Sequence, residues 1–257
     1  MLGFGLAIEP QLWALIFVMI RVGAAFVAAP VFGNVSVPLP VRVSLAGAIG
    51  VLVLGTHTIT PPTQIFALTT FLSVAAEALV GLALGFIIQI AFAAPLVAGE
   101  IIGGAMGIGF ANMIDPNSGR SSPAIGQFLS IMLTLLFLSL DGHLILVDMI
   151  VQSYRALPPG AAWLMPGQLR DIALFGGYAF SAGLLLALPV GFLLLCLNLV
   201  MGMLARSAPA LNLFAIGLPA SLAVGVIAMA IAFPAMGDYL QVIVREGLAA
   251  ARSLVLG

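Results

Sequence analysis

The stretch LLLALPVGFLLLCLN, residues 184–198, contains no polar residue before its final asparagine. Apolar and polar residues do not alternate along it, as they do along the strands of a membrane β-barrel. A segment that crosses lipid has to satisfy its own backbone hydrogen bonds, which leaves α-helices and closed barrels. The stretch therefore predicts a membrane-spanning α-helix, with a kink expected at Pro189 and Gly191.

The composition extends this interpretation to the whole chain. Of its 257 residues, 63% are hydrophobic and 7% are charged, against about 25% charged residues in a soluble domain. The mean hydropathy is +1.26, and lysine is absent from the sequence. A net charge of −1 offers no basic surface for nucleic acid. The fold class predicted is an all-α integral membrane protein surrounded by a lipid bilayer.

Breaks rich in proline, glycine and polar residues divide the chain into six to eight hydrophobic helical segments. The segments expected are 12–32, 43–59, 65–98, 124–139, 143–157, 172–205 and 211–235. Residues 157–171 are expected to form a loop. Residues 238–254 form the one amphipathic stretch, which suits either a helix at the bilayer surface or a docking face for a partner. Single arginines in nearly every break leave the membrane orientation open.

Glycines crowd the end of the third segment. They are Gly99, Gly103, Gly104, Gly107 and Gly109. Three of them recur at every fourth residue, a spacing that lets another helix approach closely in lipid. Gly81 and Gly85 repeat that spacing upstream. The pattern indicates either a tight helix contact within the chain, or a subunit contact or pliable gate helix. Because each glycine weakens a helix by about 1 kcal/mol relative to alanine, the helix is expected to loosen towards the following loop.

That loop, GFANMIDPNSGRSS at 109–122, is the most polar part of the central region. The Asp115–Pro116 step stops a helix and has the chemistry of a type I turn, with Gly119 close behind. One carboxylate is too little charge for a calcium site.

Ionisable residues also occur within or at the edge of apolar segments. They are Arg21, Glu77, Glu100 and Asp148. Such groups are costly at membrane depth and face a partner or a cavity. Arg21 with Glu77 is one pairing, although their spacing does not decide it.

No catalytic, cofactor-binding or metal-binding set stands out, so the chain is not expected to be an enzyme or to carry a cofactor. The sequence DGH at 141–143 is interpreted as a turn. Asp141 is expected to act as a helix N-cap, with His143 in the first helical turn.

An ordered set of motifs across 99–160 resembles the FliR family of flagellar type III export-gate proteins. The motifs are Gly-Glu-x-x-Gly at 99–103, Phe-Ala at 110–111, Asp-Pro at 115–116, Asp-Gly-His-Leu at 141–144, Ser-Tyr at 153–154 and Pro-x-Gly at 158–160. The resemblance extends over about 12–235. The homologue in virulence type III systems shares the architecture.

The resemblance implies a FliP-like part at 1–171, a FliQ-like helical hairpin at 172–235 and an amphipathic tail at 236–257. It implies FliP-like and FliQ-like partners, FlhB and FlhA as neighbours, and unfolded flagellar proteins as transit substrates across the bacterial inner membrane at the flagellar basal body. It also implies a plug loop at about 106–122 inside a pore, able to move because of its glycines. The plug and gating residues would be Met106, Phe110, Met113, Ile114, Asp115, Pro116 and Gly119.

Two other functions remain open from the residues alone. A self-contained multi-span transporter also has broken helices and charges at membrane depth. The export-gate subunit of a virulence type III secretion system is the second alternative.

Overall fold

The computed structural model of the chain describes residues 8–57, 59, 67–108, 124–160, 163–207 and 213–256. Within these ranges all regular structure is helical, which confirms the predicted fold class. The helices are α1 (Ile8–Ala28), α2 (Leu39–Thr56), α3 (Leu68–Ala105), α4 (Ala124–Ser139), α5 (Gly142–Ala156), α6 (Pro166–Phe175), α7 (Tyr178–Ser207) and α8 (Leu213–Leu256).

Most of these helices are long and apolar enough to cross a membrane. Among the described residues there are 5 such segments, at Pro10–Ala28, Leu39–Thr56, Leu68–Ala105, Pro166–Ser207 and Ile216–Val255. The pair α4 and α5 meets the same condition together, with a bend of 64° between its two halves. The chain is therefore a multi-pass membrane protein.

The structure changes two boundaries predicted from the sequence. Residues 157–171 are not loop throughout, because α6 begins at Pro166, where proline fits the first helical position. The stretch 238–254 is the last part of α8, which runs on from Leu213 through Pro219 and Pro234.

The amphipathic character predicted for that stretch is confirmed. Leu240, Ile243 and Ala251 are buried, whereas Arg245 and Arg252 are exposed.

The described helices fall into two compact units. The first unit covers residues 1–89, 141–175 and 247–257. In it α1 and α3 approach until their backbones almost touch: a Cβ on Gly81 would collide with the carbonyl oxygen of Arg21, and a Cβ on Gly85 with that of Ala25. These two glycines therefore make a tight helix contact within the chain, one of the two interpretations open from the sequence.

The second unit covers residues 90–140 and 176–246. A Cβ on Gly99 of α3 would collide with the backbone of Gly126 in α4, and one on Gly183 of α7 would lie 2.6 Å from the Cβ of Val97. The rings of Phe92 and Phe137 pack edge to face, with centroids 5.4 Å apart. Close helix approach at glycine thus organises this unit as well.

Candidate functional site

A buried ion pair lies between α1 and α3 in the first unit. The Arg21 Nε donates to Glu77 Oε2 at 2.8 Å, and Nη2 donates to Oε1 at 2.9 Å. Both residues are 0% exposed, and they are the buried charged residues of the part of the chain that the structure describes. The pair is bidentate, a geometry that matches the planar guanidinium. The two hydrogen bonds fix the relative orientation of the side chains in addition to pairing their charges.

Arg21 makes two further hydrogen bonds, so that four of its five N–H donors have partners. Its Nη1 donates to Ser153 Oγ at 3.0 Å, and Nη2 donates to the Leu157 carbonyl oxygen at 2.9 Å. The guanidinium carbon lies 4.2 Å from the centre of the Tyr154 ring, a favourable position for a cation over an aromatic face. Tyr154 itself donates to the Val18 carbonyl oxygen at 2.9 Å. The ion pair therefore joins α1 and α3 to the end of α5.

Glu77 extends the same network to the segment after α5. Its Oε1 accepts a hydrogen bond from the backbone N–H of Gly160 at 3.3 Å. Gly160 adopts a positive φ of 86°, which glycine tolerates without strain. The Gly160 carbonyl oxygen accepts from Ser73 Oγ at 3.2 Å. We call the set Arg21, Glu77, Ser153, Tyr154 and Gly160 the polar node.

The other two predicted charge candidates lie on the surface of the chain. Glu100 and Asp148 are both exposed. Asp148 Oδ2 accepts from Gln152 Nε2 one turn along α5, at 2.6 Å. In the described ranges no cluster of His, Cys, Asp and Glu could hold a metal ion.

The turn between α4 and α5 differs from the expected cap. Asp141 occupies the N-cap position of α5 but adopts a left-handed conformation, with φ of 55°, and its side chain makes no capping hydrogen bond. The prediction that Asp141 forms the turn and occupies the N-cap position is confirmed, but its side chain does not cap the helix. His143 lies in the first turn of α5, as predicted.

The glycine-rich end of α3 forms a defined terminus. The N–H of Ile108 donates to the carbonyl oxygen of Gly103 at 2.9 Å, and the N–H of Gly107 donates to that of Gly104 at 3.0 Å. Gly107 has a positive φ of 79°. These two bonds around a left-handed glycine define a Schellman motif, so Gly103, Gly104 and Gly107 end the helix in an ordered way.

Two contacts hold this terminus within the second unit. Met106 is 2% exposed and rests against Gly225 of α8. A Cβ on Gly225 would lie 2.6 Å from Cγ, 2.7 Å from Cε and 2.8 Å from Sδ of Met106. Asn198 of α7 donates through Nδ2 to the Ala105 carbonyl oxygen, with 3.5 Å between the two atoms. We call Met106, Gly107, Asn198 and Gly225, with the Ala105 carbonyl, the α3 anchor.

Comparison with known proteins places these features in a family. The profile of the family described as Bacterial export proteins, family 1, matches residues 12–247. The chain belongs to this family. Its relatives include the flagellar biosynthetic protein FliR of Escherichia coli (strain K12), which is 37% identical over 228 residues covering 87% of this chain and 85% of the relative.

Two further FliR relatives have comparable coverage. The protein of Bacillus subtilis (strain 168) is 37% identical over 221 residues, with 83% of each chain covered. That of Pectobacterium carotovorum subsp. carotovorum is 35% identical over 222 residues, covering 86% of this chain and 85% of the relative.

Most of the residues assigned to the plug by resemblance to this bacterial export family lie outside the described residues. They are Phe110, Met113, Ile114, Asp115, Pro116 and Gly119, together with Gly109. Met106 is the one plug candidate that the structure describes, and it belongs to the α3 anchor.

Sequence reasoning placed Ser153 and Tyr154 in a family motif without predicting their contacts with Arg21, and it did not name Asn198 or Gly225 as site residues. Asn198 carried a signal, because it is a polar residue within an apolar run. Gly225 carried none, since its importance depends on which side chain meets it.

Proposed function

We propose that this chain is a structural and gating subunit of the flagellar type III protein export gate, through which unfolded flagellar subunits cross the bacterial inner membrane. The observation that carries the proposal is the family match over residues 12–247. The multi-pass helical fold agrees with a membrane-embedded subunit. The role proposed is non-enzymatic.

The partners proposed are a FliP-like and a FliQ-like subunit, with FlhB and FlhA as neighbours at the flagellar basal body. Residues 1–171 would take the FliP-like place in the assembly, and residues 172–235 that of a FliQ-like hairpin. Residues 236–257 would form an amphipathic tail. Exposed apolar side chains on α7 support contact with lipid or with partner helices: Phe180 is 70% exposed and Phe192 is 64% exposed.

Purification of the chain in mild detergent tests the proposed assembly. We expect the tagged chain to retain FliP-like and FliQ-like subunits, identified by mass spectrometry. Recovery of a lone monomer or homodimer would favour a self-contained transporter instead. Recovery with the subunits of a virulence apparatus would assign the chain to that system.

We also propose that residues 106–122 contribute to closing the gate, with the apolar residues Phe110, Met113 and Ile114 as the seal. Deleting residues 110–119 is expected to make cells that contain the assembled gate permeable to ions or small solutes. A matched deletion strain lacking the FliP-like subunit controls for leakage that does not depend on an assembled gate. Unchanged permeability of the assembled deletion variant would contradict the plug role.

A further inference from the structure

The end of α3 is held more firmly than its glycine content suggests. The Schellman bonds at Gly103 and Gly104 satisfy carbonyl groups that a frayed helix would leave open. Gly99, one turn earlier, meets the backbone of Gly126 in α4, so a bend there would break a helix–helix contact. In this part of the helix the glycines therefore serve packing and termination.

The buried side chain of Met106 adds a packing contact that holds this terminus. With Met106 where it lies, a Cβ at position 225 would come within 2.8 Å of three atoms of its side chain, so that side chain would have to shift. Packed interiors do not tolerate overlaps of that size without rearrangement. Position 225 thus selects glycine in order to seat Met106.

Asn198 holds the same terminus from another helix, since its side chain reaches the carbonyl oxygen of Ala105. Asn198 is exposed and its Nδ2 lies 3.5 Å from that oxygen, so this hydrogen bond is long and adds less than the packing of Met106. The terminus is consequently tied to α7 and to α8, while Gly107 is its first residue with left-handed backbone.

We propose that the α3 anchor stays fixed while the gate passes substrate, and that Gly225 is a positioning residue which seats Met106 for this purpose. Any rearrangement of the following chain then begins at or after Gly107, and α3 does not bend at its glycines. This inference rests on the proposed function, because it concerns a working export gate.

A reversible crosslink between the two positions tests whether the anchor moves. A sulfur in place of the Met106 Cγ lies close enough to a side chain at residue 225 for a disulfide. The variant Met106→Cys with Gly225→Cys is made in a Cys196→Ser background, since Cys196 is the chain's single cysteine. We expect oxidation to crosslink the pair in the assembled gate without loss of flagellar protein secretion or swimming. The two single-cysteine variants serve as controls for the oxidant.

Two results would overturn the proposal. One is an assembled double variant that does not crosslink, which would place the two residues apart. The other is crosslinking that stops secretion, with recovery after reduction, which would show that the anchor has to move.

If the double-cysteine variant does not assemble, alanine substitutions test whether Met106 has to pack against Gly225. Gly225→Ala is expected to lower secretion because Met106 is displaced, and Met106→Ala is expected to lower it as well because the same contact is lost. Gly217→Ala on the same helix is the matched control, because its Cβ would meet only Met201, at 3.7 Å. If the Gly225→Ala and Gly217→Ala variants secreted equally, the proposal that Gly225 positions Met106 would be refuted. Failure of the proposed function is recognised separately, by absence of the export-gate partners from the unaltered chain.

Discussion

Arg21 shows how a permanent cation is accommodated in an apolar helix. Its guanidinium donates to a carboxylate, a hydroxyl and a carbonyl oxygen, and it lies over an aromatic ring. The sequence predicts that such a residue needs a partner, because charge at membrane depth is costly. It does not identify that partner, since Glu77 is 56 residues away and Ser153 is 132 residues away.

Glu77→Gln is expected to destabilise the chain strongly. The substitution keeps the shape of the side chain but leaves Arg21 buried without a countercharge, at a cost of roughly 3–5 kcal/mol. The measurement is thermal unfolding of the purified protein in detergent. Glu100→Gln is the matched control, because it changes the same residue type at an exposed position on the same helix. Equal unfolding temperatures for the two variants would mean that the ion pair does not stabilise the fold.

Substitutions of Tyr154 distinguish two contributions to the stability of the polar node, the hydroxyl hydrogen bond and the aromatic ring. Tyr154→Phe keeps the ring over Arg21 and removes the hydrogen bond to the Val18 carbonyl oxygen, which should cost about 0.5–1.5 kcal/mol. Tyr154→Leu removes the aromatic face as well and should cost more, by about 0.5–2 kcal/mol. The same unfolding measurement applies. If both variants were equally stable, the ring would contribute no cation–π stabilisation.

At the scale of an element, α3 shows that glycines have different roles at different positions of one helix. Gly81 and Gly85 allow contact with α1, Gly99 allows contact with α4, and Gly107 ends the helix. The four-residue spacing predicts close packing, which the structure contains. It cannot show which neighbour is met, because that depends on residues far along the chain.

Gly107→Ala and Gly104→Ala are expected to act in opposite directions. Alanine at 107 has to take a positive φ, which costs about 1–2 kcal/mol. The Cβ of an alanine at 104 would have no heavy atom within 4 Å apart from its chain neighbours and the nearby backbone of α3, and alanine gains up to about 1 kcal/mol of helix propensity. Unfolding temperatures of the two variants against the unaltered chain check this. Destabilisation by both substitutions would indicate that position 104 is covered in the assembled protein.

The boundaries of two other helices, α6 and α8, differ from those that the sequence predicts. The start of α6 lies within 157–171, which the sequence predicts as a loop, although proline is favoured at a helix start. α8 continues through Pro219 and Pro234, residues that would usually break a helix. Helix interiors such as 184–198 were predictable from their uninterrupted apolar character. Ends, and helices that run through proline, depend on packing that local sequence does not encode.

At the scale of the whole molecule, the compact units do not follow chain order. The first unit takes residues from three separate stretches, and its last stretch lies at 247–257. Gln168 Nε2 donates to the Leu254 carbonyl oxygen at 2.7 Å, which links α6 to the end of α8 inside that unit. The proposed division at residue 171 would thus cut through both units.

A chain truncated after residue 171 is expected not to accumulate. It would lack the α8 end of the first unit, and it would lack α7 and most of α8 from the second. Co-expression of residues 1–171 with residues 172–257 should restore accumulation, because each unit is then complete. Immunoblotting of membrane fractions measures both. Normal accumulation of 1–171 alone would show that these residues fold independently.

The polar node also affects how the chain is made. Arg21 is synthesised 56 residues before Glu77, which at bacterial elongation rates of about 5–20 residues per second is a delay of roughly 3–11 seconds. During that time the nascent first helix carries an unneutralised cation that resists release into lipid. We expect this helix to wait beside the insertion machinery until α3 emerges. A subunit in which the pair cannot form would then be recognised during biogenesis, before it could join a gate.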